Sequence, residues 1–586
     1  MTRLAGLVAL FAAVAAVSAA PGASLGRRQN TTTTPDSNIT VDSKPQCRCF
    51  PGEPCWPKDK HWDAFNSTIG GKLVATIPIG SPCHDSSFGP ADPSACAILK
   101  SKWADPATHI SSSSSLMSPF FANASCDPFL STNAQCVVGT YVQYAVAATN
   151  TDDFKKTIAF AKDRNLRLVV RNTGHDFYGK STGAGALAIW TQGIKDITLM
   201  NYQSDAYTGT AMKIGAGVLG QEAYEVAHQN NVVVVGGACP SVGIAGGYTQ
   251  GGGHSLLTTK YGMAADHVLE WEVVTGNGDL VVASPSQNQD LYWALSGGGG
   301  GTYGVVRSMT VKTFPELKTA AATLFYQSAG INPDLYFELF KTLLTCMPAI
   351  VKAGGSTIWI LTPLGLLIAP VIIPGSSKDN IDTILQPFLQ KLKDNAIPFQ
   401  YSNVDYESYH DAFLATTPFK TLTENHTGGR LIPKSLVSTD DGLNQFVAAM
   451  RAIVEKGSFI SGLNLDASKK INFADNSVNP AWRDAAMTII LLTSFSHADW
   501  NVAQANQRAM TEQIVPIIKK ITPGGSCYLN EGDVNEPDWQ QTFYGASYEK
   551  LLGIKQKYDS SSLLWGRTAV GSEAWTETDD KHLCKA

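Results

Sequence analysis

The stretch that most constrains this chain is LRLVVRNTGHDF, residues 166–177. Its first five residues are apolar or arginine in a run too short for a helix, and the turn-prone residues Asn172, Thr173 and Gly174 follow. The pattern predicts a buried strand that carries His175 at its tip. A second strand, residues 232–235, leads into the glycine-rich turn GGACPSVGIAGGYTQGGGHS, residues 236–255, which carries Cys239. We interpret these two turns as the two arms of one binding site.

Composition and charge narrow the class of protein. The chain has 586 residues, of which 44% are hydrophobic and 16% charged, as in ordinary globular proteins with more than one core. A formal net charge of -5 and the lack of a basic run give no electrostatic case for a nucleic-acid partner. Residues 1–20 have the short positive start, apolar run and small residues typical of a secretory signal. No later stretch reaches about 18 uninterrupted apolar residues, so we expect a secreted or secretory-lumen protein without a membrane partner.

Cysteine usage agrees with an oxidising compartment. Seven of the eleven cysteines fall between residues 47 and 136, in a stretch with little periodic structure that disulfides would hold together. If Cys239 is used by a cofactor, the other ten can pair as five bridges; the alternative for Cys239 is a free buried thiol. Possible N-glycosylation sites are Asn30, Asn38, Asn66, Asn123 and Asn425.

The pattern becomes regular from about residue 139. It predicts a helix over residues 154–165, a second helix over 221–230, and a hairpin over 268–283 whose turn is Asn277-Gly278. The run SGGGGG, residues 296–301, introduces a further strand at 303–313. Glycines at this density allow peptide N–H groups to approach a phosphate closely.

Two motifs offer other interpretations. Residues 215–220, GAGVLG, fit the G-x-G-x-x-G fingerprint of a Rossmann fold, but the acidic residue expected about 20 positions later is missing, which favours a structural turn. Residues 179–183, GKSTG, fit the G-x-S-x-G nucleophile elbow of a serine hydrolase. The following GALAIW is typical of a strand, whereas the elbow requires a helix.

Four signatures together resemble the berberine-bridge-enzyme-like branch of the vanillyl-alcohol-oxidase flavoproteins. They are RNTGHD at residues 171–176, the glycine turn at 237–253, KYGMAAD at 260–266 and the pentaglycine turn. The N-terminal CRCFPGEPCW, residues 47–56, resembles secreted fungal FAD-linked oxidases, including isoamyl alcohol oxidase and enzymes of secondary-metabolite clusters. The resemblance implies an α+β fold: a PCMH-type FAD-binding domain plus a substrate domain with an antiparallel sheet backed by helices.

The resemblance also implies a domain order and a cofactor. We expect a signal peptide (1–20), a cysteine-rich glycosylated segment (21–137), the FAD-binding domain (138–318), the substrate domain (319–525) and a C-terminal segment that returns to the FAD domain (526–586). In the family, a histidine matching His175 bonds to the flavin 8α-methyl and a cysteine matching Cys239 bonds to flavin C6. Val242 resembles the small residue that lets O2 reach the flavin in oxidases. The other residues implied to bind the cofactor are Arg171, Asn172, Thr173, Gly174, Asp176, Gly243, Gly246 and Gly247.

The C-terminal segment carries the candidate catalytic residues. In the family a tyrosine-x-asparagine-x element lies beside the flavin and often ends in a tyrosine that acts as base. Here it reads Tyr528-Leu529-Asn530-Glu531, so Glu531 stands at the base position. A carboxylate there can take a proton from an alcohol if an apolar site raises its pKa; the alternative is a supporting, hydrogen-bonded Glu531. Tyr528 and Asn530 are the candidates for orienting the substrate or the ring.

Three functions remain open at this point. The first is an FAD-linked oxidase that takes hydride from an alcohol or related centre of a small, largely apolar natural product and passes the electrons to O2. The second is a carbohydrate oxidase of the same family, against which the aliphatic strands of the substrate domain argue. The third is a serine hydrolase.

Overall fold

The computed structural model describes residues 46–468 and 474–586. The predicted signal peptide and the sequons at Asn30 and Asn38 lie outside these residues. No helix within the described ranges is long and apolar enough to cross a bilayer.

The cysteine-rich segment is mostly irregular. Its regular elements are α1 (Asp59–Thr68), β1 (Leu73–Ala75), α2 (Pro93–Ser101) and α3 (Pro106–Ile110). Four disulfides join Cys47 to Cys584, Cys49 to Cys55, Cys83 to Cys96 and Cys126 to Cys136. The prediction of a fifth bridge is wrong. Cys346 and Cys527 are free and buried in the interior, and Cys239 is also free.

The next part of the chain contains two sheets. Its elements are β2 (Tyr144–Ala147), α4 (Thr151–Asp163), β3 (Leu168–Arg171), β4 (Leu187–Trp190), β5 (Ile197–Gln203), β6 (Thr208–Gly215), α5 (Gly220–Gln229), β7 (Val232–Val233), α6 (Thr258–Tyr261), β8 (Val268–Thr275), β9 (Leu280–Ala283), α7 (Gln289–Leu295) and β10 (Gly304–Lys312). The first sheet has the order β1-β2-β4-β3, with β2, β4 and β3 parallel. The second is antiparallel, in the order β5-β6-β10-β8-β9. β3 is an edge strand of the first sheet, runs parallel to β4 and ends at Arg171. The turn that carries His175 therefore begins at the C-terminal end of this strand.

Helix α4 connects β2 to β3 and shows why the sequence folds this way. Asn150 caps it, accepting from the backbone of Asp153 at 3.0 Å, and the Asp153 carboxylate bonds back to the Asn150 N–H at 3.3 Å. Phe154, Ile158 and Ala161 recur at helical spacing on one face and are buried against the sheet. The predicted helix and the strand that follows it are both present.

The remaining chain builds a large antiparallel sheet with helices on one side. Its elements are β11 (Phe314–Pro315), β12 (Thr319–Gln327), α8 (Pro333–Lys352), β13 (Ser356–Thr362), β14 (Gly365–Pro374), α9 (Lys378–Asp394), β15 (Gln400–Tyr406), α10 (Tyr409–Thr416), β16 (Asn425–Pro433), α11 (Lys434–Val437), α12 (Asp440–Val454), β17 (Phe459–Asn464), β18 (Ala485–Ser494), α13 (Trp500–Ala509), α14 (Val515–Ile521), α15 (Tyr548–Tyr558), β19 (Trp575–Glu577) and β20 (Leu583–Lys585). The seven strands are ordered β15-β12-β14-β13-β17-β18-β16. The α+β fold class is confirmed, while the exact domain boundaries stay a prediction.

The two faces of this seven-stranded sheet have different roles. Successive side chains of a strand point to opposite faces. Trp359 and Ile489 accordingly pack into the core beneath the helices, whereas their neighbours Ile358 and Ile490 line a cavity on the other face. The sheet therefore forms one wall of the cavity described next.

Candidate active site

A cavity of about 410 Å³ lies where the first sheet, the glycine-rich turns and the seven-stranded sheet meet. The turn after β3 and the 236–255 loop form one side, and strands β13, β16, β17 and β18 form the other. The C-terminal segment contributes Tyr528, Asn530 and Glu531 to the lining. Both arms predicted from the sequence thus contribute to one cavity.

His175 and Cys239 meet at a single serine. His175 Nε2 lies 2.9 Å from the hydroxyl of Ser241, and Cys239 Sγ lies 3.5 Å from the same oxygen. Both side chains line the cavity. Because Ser241 engages Nε2, the Nδ1 atom of His175 is the ring nitrogen without a hydrogen-bond partner among the described residues. Two residues that are 64 positions apart in the sequence therefore contact the same hydroxyl group.

Burial affects the two nucleophiles differently. Burial, together with His109, lowers the pKa of His175 to about 4, so its imidazole is neutral at neutral pH. A neutral ring offers a lone pair for bond formation. Burial raises the pKa of the Cys239 thiol, an effect that its hydrogen bonds to Ser241 and Val242 oppose. His175 is therefore ready to react as it stands, whereas Cys239 must first lose a proton.

The predicted glycines allow three backbone segments to approach each other closely. A Cβ at Gly243 would lie 2.2 Å from the side-chain nitrogen Nδ2 of Asn172, and one at Gly300 would lie 2.7 Å from the backbone Cα of Gly247. A Cβ at Gly247, by contrast, would meet no protein atom within 4 Å. The backbones of the Gly247 and Gly300 turns are thus in close contact with each other, whereas the side-chain position of Gly247 faces open space. The predicted cofactor residues that line the cavity are Asn172, Thr173, Gly174, His175, Asp176, Cys239, Val242, Gly243, Gly246 and Gly247.

Arg171 differs from this group. Its side chain is fully buried away from the cavity lining, and Nη2 donates to the carbonyl oxygens of His109 at 3.2 Å and Ser112 at 3.0 Å. Its guanidinium group also lies close to Gly174 of the turn, so Arg171 connects the turn to the cysteine-rich segment. A role of Arg171 in cofactor binding stays a prediction.

Several polar groups of the lining fit a phosphate-containing flavin. The Oδ1 atom of Asn172 and the Oε1 atom of Gln250 are buried and have no hydrogen-bond partner in the part of the chain that the structure describes. Lys180 lines the cavity with no carboxylate at salt-bridge distance among the described residues, and burial lowers its pKa to about 8 although Asp176 opposes the shift. Its ammonium group lies 5.2 Å from the centre of the Tyr178 ring. Unpaired amide oxygens and a buried cation match the N–H donors and negative charge of FAD.

Glu531 has a partner that the sequence did not indicate. Its two carboxylate oxygens lie 3.0 and 2.9 Å from Nε2 of His254, and both side chains line the cavity. The Nδ1 atom of His254 is buried without a hydrogen-bond partner among the described residues. Glu531 is therefore not in the purely apolar surroundings that were expected, because the His254 ring is at hydrogen-bond distance from both of its oxygens. This contact fixes the position of the carboxylate in the cavity.

Tyr528 and Asn530 are held in place by the glycine turn. Asn530 Nδ2 donates to the carbonyl oxygen of Gly247 at 2.9 Å and to the Tyr528 hydroxyl at 2.8 Å. The Tyr528 hydroxyl donates to the carbonyl of Tyr248 at 3.3 Å. Burial raises the pKa of Tyr528 far above its usual range, so its phenol remains protonated. These two residues orient the segment, and Tyr528 is unsuited to act as a base.

The wall formed by the large sheet is mainly apolar. Four aliphatic side chains from the strands and a phenylalanine line it with a few hydroxyl groups. The apolar residues are Ile358, Leu463, Ile490, Leu492 and Phe419, and the hydroxyl residues are Thr421, Thr423, Ser461 and Thr488. Such a surface suits a substrate that buries hydrocarbon and makes a few hydrogen bonds.

The structure also decides the two competing motifs. Residues 215–220 connect β6 to α5, but β6 belongs to an antiparallel sheet, whereas a Rossmann fingerprint requires a parallel βαβ unit. A Cβ at Gly217 would lie 2.2 Å from the carbonyl of Gln192, which explains the glycine structurally. Ser181 donates its hydroxyl to Asp176 within the turn between β3 and β4, and no histidine contacts it among the described residues. The interpretation of residues 179–183 as a nucleophile elbow is therefore wrong.

The sequons within the described ranges differ in accessibility. Asn123 is exposed, and Asn66 is half-buried, with Oδ1 accepting from the backbone of Leu73 at 3.0 Å. Asn425 lines the cavity at the start of β16. A glycan at Asn425 would compete with substrate for space, so we discard that site.

Three important residues were missed by sequence reasoning: Ser241, His254 and Lys180. Ser241 and His254 both lie inside the 236–255 turn, and Lys180 lies in the turn that begins with His175. Their segments could be identified from glycine content, but their roles depend on partners that are distant in sequence. His254 and Glu531, for example, are 277 residues apart.

Comparison with known protein families gives two matches. Residues 142–284 match an FAD binding domain, and residues 527–571 match the family described as "Berberine and berberine like". The first contains both nucleophiles, and the second contains Glu531.

Comparison with individual proteins extends the match over nearly the whole chain. The FAD-linked oxidoreductase sor8 of Hypocrea jecorina is 45% identical, over 93% of this chain and 94% of that protein. The VAO-type flavoprotein oxidase VAO615 of Thermothelomyces thermophilus is 39% identical, over 92% of this chain and 96% of that protein. The crystal structure of VAO-type flavoprotein MtVAO615 from Myceliophthora thermophila C1 superposes with a TM-score of 0.88 at 37% identity, covering 92% of this chain and all of that one.

Proposed function

The chain belongs to the FAD-linked oxidoreductases of the vanillyl-alcohol-oxidase type, and we propose that it oxidises an alcohol carbon of a small, largely apolar natural product. It is an FAD-dependent enzyme with berberine-bridge-enzyme-like features. In the proposed reaction FAD is attached through both His175 and Cys239, and O2 is the final electron acceptor. The observation that carries the proposal is the convergence of both nucleophiles and the Glu531–His254 pair on one cavity.

Within this site the protein supplies two positions for covalent bonds. Ser241 orients His175 through Nε2 and leaves Nδ1 as the atom for attachment. The same hydroxyl contacts Cys239 and holds its sulfur on the same side of the cavity. FAD, when bound, accepts hydride from the substrate carbon and delivers electrons to O2.

Glu531 is the proposed base. Removing hydride from an alcohol leaves a protonated carbonyl unless the hydroxyl proton is taken away, and Glu531 can accept that proton at a carboxylate oxygen. His254 holds the carboxylate through Nε2, at 2.9 and 3.0 Å from its two oxygens. Asn530 fixes the segment to Gly247, so the carboxylate position is determined by the glycine turn.

The apolar strand wall supports an aliphatic or aromatic substrate over a sugar. A sugar ring presents hydroxyl groups on most of its carbons and would leave several of them without partners against Ile358, Leu463 and Ile490. Val242, which lines the flavin side of the cavity, is the proposed gate for O2.

The four disulfides indicate an oxidising compartment. Together with the N-terminal sequence, they support the proposal that the protein is secreted. Glycans at Asn123 and Asn66 remain part of that proposal.

The attachment is tested by acid precipitation of single and double variants. We expect wild-type protein and each of His175→Ala and Cys239→Ala to keep yellow colour in the acid pellet, because one bond is sufficient to retain the flavin. The double variant should release free FAD. Absorbance of the pellet and supernatant measures both results.

Cys346→Ala is the matched control, because it removes a buried thiol that lies outside the cavity. It should retain flavin as wild type does. Release of all flavin from wild-type protein would contradict covalent attachment altogether, and release from either single variant would show that the other residue forms no bond.

The base is tested by anaerobic flavin reduction with a panel of aliphatic, allylic and benzylic alcohols, with glucose and cello-oligosaccharides beside them. We expect the alcohols to reduce the flavin and the sugars to be inactive. For the best substrate, Glu531→Gln should slow reduction by roughly 100- to 10,000-fold, since glutamine cannot accept the proton. The pH–rate profile of each variant is measured alongside the rate.

Glu512→Gln, which removes an exposed carboxylate, should leave both rate and profile unchanged. The flavin spectrum shows that the site is intact in each variant. Unchanged reduction in Glu531→Gln would assign the residue a supporting role, and efficient reduction by a sugar would overturn the proposed substrate class.

A further inference from the structure

A cluster of histidines and carboxylates lies outside the cavity, between helices α5 and α10. His228 comes from α5, which leads toward the Cys239 turn, and His410 and Asp411 come from α10. Each of the three side chains offers one ligand atom, and these atoms all lie within 4.8 Å of one another. Nothing in the proposed reaction uses these residues.

The two imidazole rings face each other directly. Their centroids are 4.5 Å apart with an interplanar angle of 20°. Two further carboxylates flank them: Glu225 Oε2 lies 3.6 Å from His410 Nε2, and Glu316 Oε2 lies 3.3 Å from His228 Nδ1. The cluster therefore contains two nitrogen donors and three acidic groups within a small region.

Glu316 orients His228 in the way that metal sites commonly use. Its Oε1 atom accepts from the backbone N–H groups of Leu317 at 3.0 Å and Tyr409 at 2.9 Å, which fixes the carboxylate. Its Oε2 atom engages Nδ1 of His228 and leaves Nε2 free. A carboxylate that holds one ring nitrogen of a ligating histidine is a common feature around bound zinc.

The donor set selects a class of ion. Imidazole nitrogen with carboxylate oxygen suits Zn²⁺, whereas Mg²⁺ and Ca²⁺ prefer oxygen ligands alone. Ligands of tetrahedral zinc at 2.0–2.1 Å from the metal stand about 3.3 Å apart. Side-chain rotation by His228, which is half-exposed, and by Asp411, which is exposed, can close the present separations to that value.

We propose that His228, His410 and Asp411 bind one Zn²⁺ ion, with Glu225 or water at the fourth position. The bound ion connects α5 of the FAD-binding part to α10 of the substrate part. α10 ends at Thr416, just before the cavity-lining residues Phe419 and Thr421. Zinc therefore stabilises the contact between the two halves of the molecule near the cavity.

The experiment measures zinc binding to the full-length, FAD-loaded protein after removal of any histidine tag. The protein is treated with EDTA, dialysed, and titrated with Zn²⁺ in competition with a chromophoric chelator, with Mg²⁺ as a parallel arm. We expect one Zn²⁺ per chain, a higher melting temperature with Zn²⁺, and no effect of Mg²⁺ at the same concentration.

Variants locate the ion. His228→Gln and His410→Gln should each weaken Zn²⁺ binding by about 100-fold or more, because each removes a ligand, and Glu316→Gln should weaken it by about 10- to 100-fold. His61→Gln is the matched control, since His61 lies on α1 and contacts neither α5 nor α10. Circular dichroism and flavin absorbance confirm that each variant is folded.

Binding of less than one Zn²⁺ per chain at micromolar concentration would overturn the proposal. So would wild-type affinity in folded His228→Gln and His410→Gln, which would place the ion on other residues, such as the free thiols. Neither result would affect the proposed oxidation, because the cluster and the Glu531–His254 pair share no residue.

Discussion

The two walls of the cavity are built on different principles. The flavin wall consists of backbone: turns rich in glycine pack so closely that a Cβ at Gly300 would lie 2.7 Å from the Cα of Gly247. The substrate wall consists of side chains such as Ile358, Leu463 and Ile490, which alternate along the strands of a sheet. The first wall can therefore hold the cofactor rigidly. The shape of the second wall can change through single side-chain substitutions. We therefore expect the first wall to determine how the cofactor binds and the second wall to determine substrate selectivity.

The largest expected effect is that of a methyl group on the flavin wall. Gly300→Ala should lower the melting temperature and leave most of the protein without flavin, because the new Cβ overlaps backbone that has no rotamer to change. The ratio of flavin absorbance to protein absorbance measures the loss.

Gly247→Ala distinguishes packing from binding at the same place. Its new Cβ meets no protein atom, so the fold should survive while flavin incorporation falls, because the methyl group extends into the cavity. Equal flavin content in both variants and wild type would show that the two turns can move enough to accommodate a methyl group and still bind flavin.

A second pair of substitutions should separate the two half-reactions. Val242→Leu on the flavin wall is expected to slow reoxidation of the reduced enzyme by air, because it narrows access for O2. Leu463→Ala on the substrate wall should change the preference among alcohols by roughly 10- to 200-fold and leave reoxidation unchanged. Stopped-flow measurements of reduction and reoxidation give both rates.

If Leu463→Ala altered reoxidation as much as reduction, the walls would not act independently. Val404→Ala is a suitable control, since this exposed residue of β15 lies outside the cavity.

A smaller effect is expected where the substrate wall is attached to the cysteine-rich segment. His497 lies 2.6 Å from the carboxylates of both Asp127 and Glu424, and Glu424 also accepts from the indole of Trp103 at 2.6 Å. Burial opposes the charged ring, but hydrogen bonds to Asp127 and Glu424 raise the pKa of His497 to about 9. A raised pKa stabilises the fold fully below the unfolded value of about 6.5, and this contribution is lost as pH rises through 9.

The contribution of His497 is at most roughly 3 kcal/mol. The melting temperature of His497→Gln should therefore fall clearly below that of wild type at pH 6 and approach it at pH 9.5. A constant difference across this range would show that the cluster acts by packing. Phosphate and borate buffers of equal ionic strength keep screening the same.

The flavin wall was largely predictable because its signals are local. Glycine turns, the strand before His175 and the spacing to Cys239 all lie within short segments, and each has few possible conformations. Arg171 belongs to the same motif, but its contacts with His109 and Ser112 could not be predicted, because those residues are about 60 positions away in the sequence.

The substrate wall was predictable only in part. Strands β13, β14, β17 and β18 are rich in apolar residues and carry a local strand signal, whereas β12, β15 and β16 carry a weaker one. β12 begins with a run of alanines, β15 is a polar edge strand, and β16 contains Gly428 and Gly429. These strands form because the sheet around them completes their hydrogen bonds, which no local propensity reports. The pairing of His254 with Glu531 was missed because the two residues are 277 positions apart in the sequence.

The disulfide between Cys47 and Cys584 sets a condition on the biosynthesis of this protein. The two cysteines are 537 residues apart, so Cys47 is synthesised long before its partner. A chain that stops before Cys584 carries an unpaired Cys47 two residues from the Cys49–Cys55 bridge, where a thiolate can attack and exchange. Only chains translated through Cys584 can close this bridge. The bridge therefore distinguishes such chains from shorter ones, and a thiol-specific reagent can detect the difference.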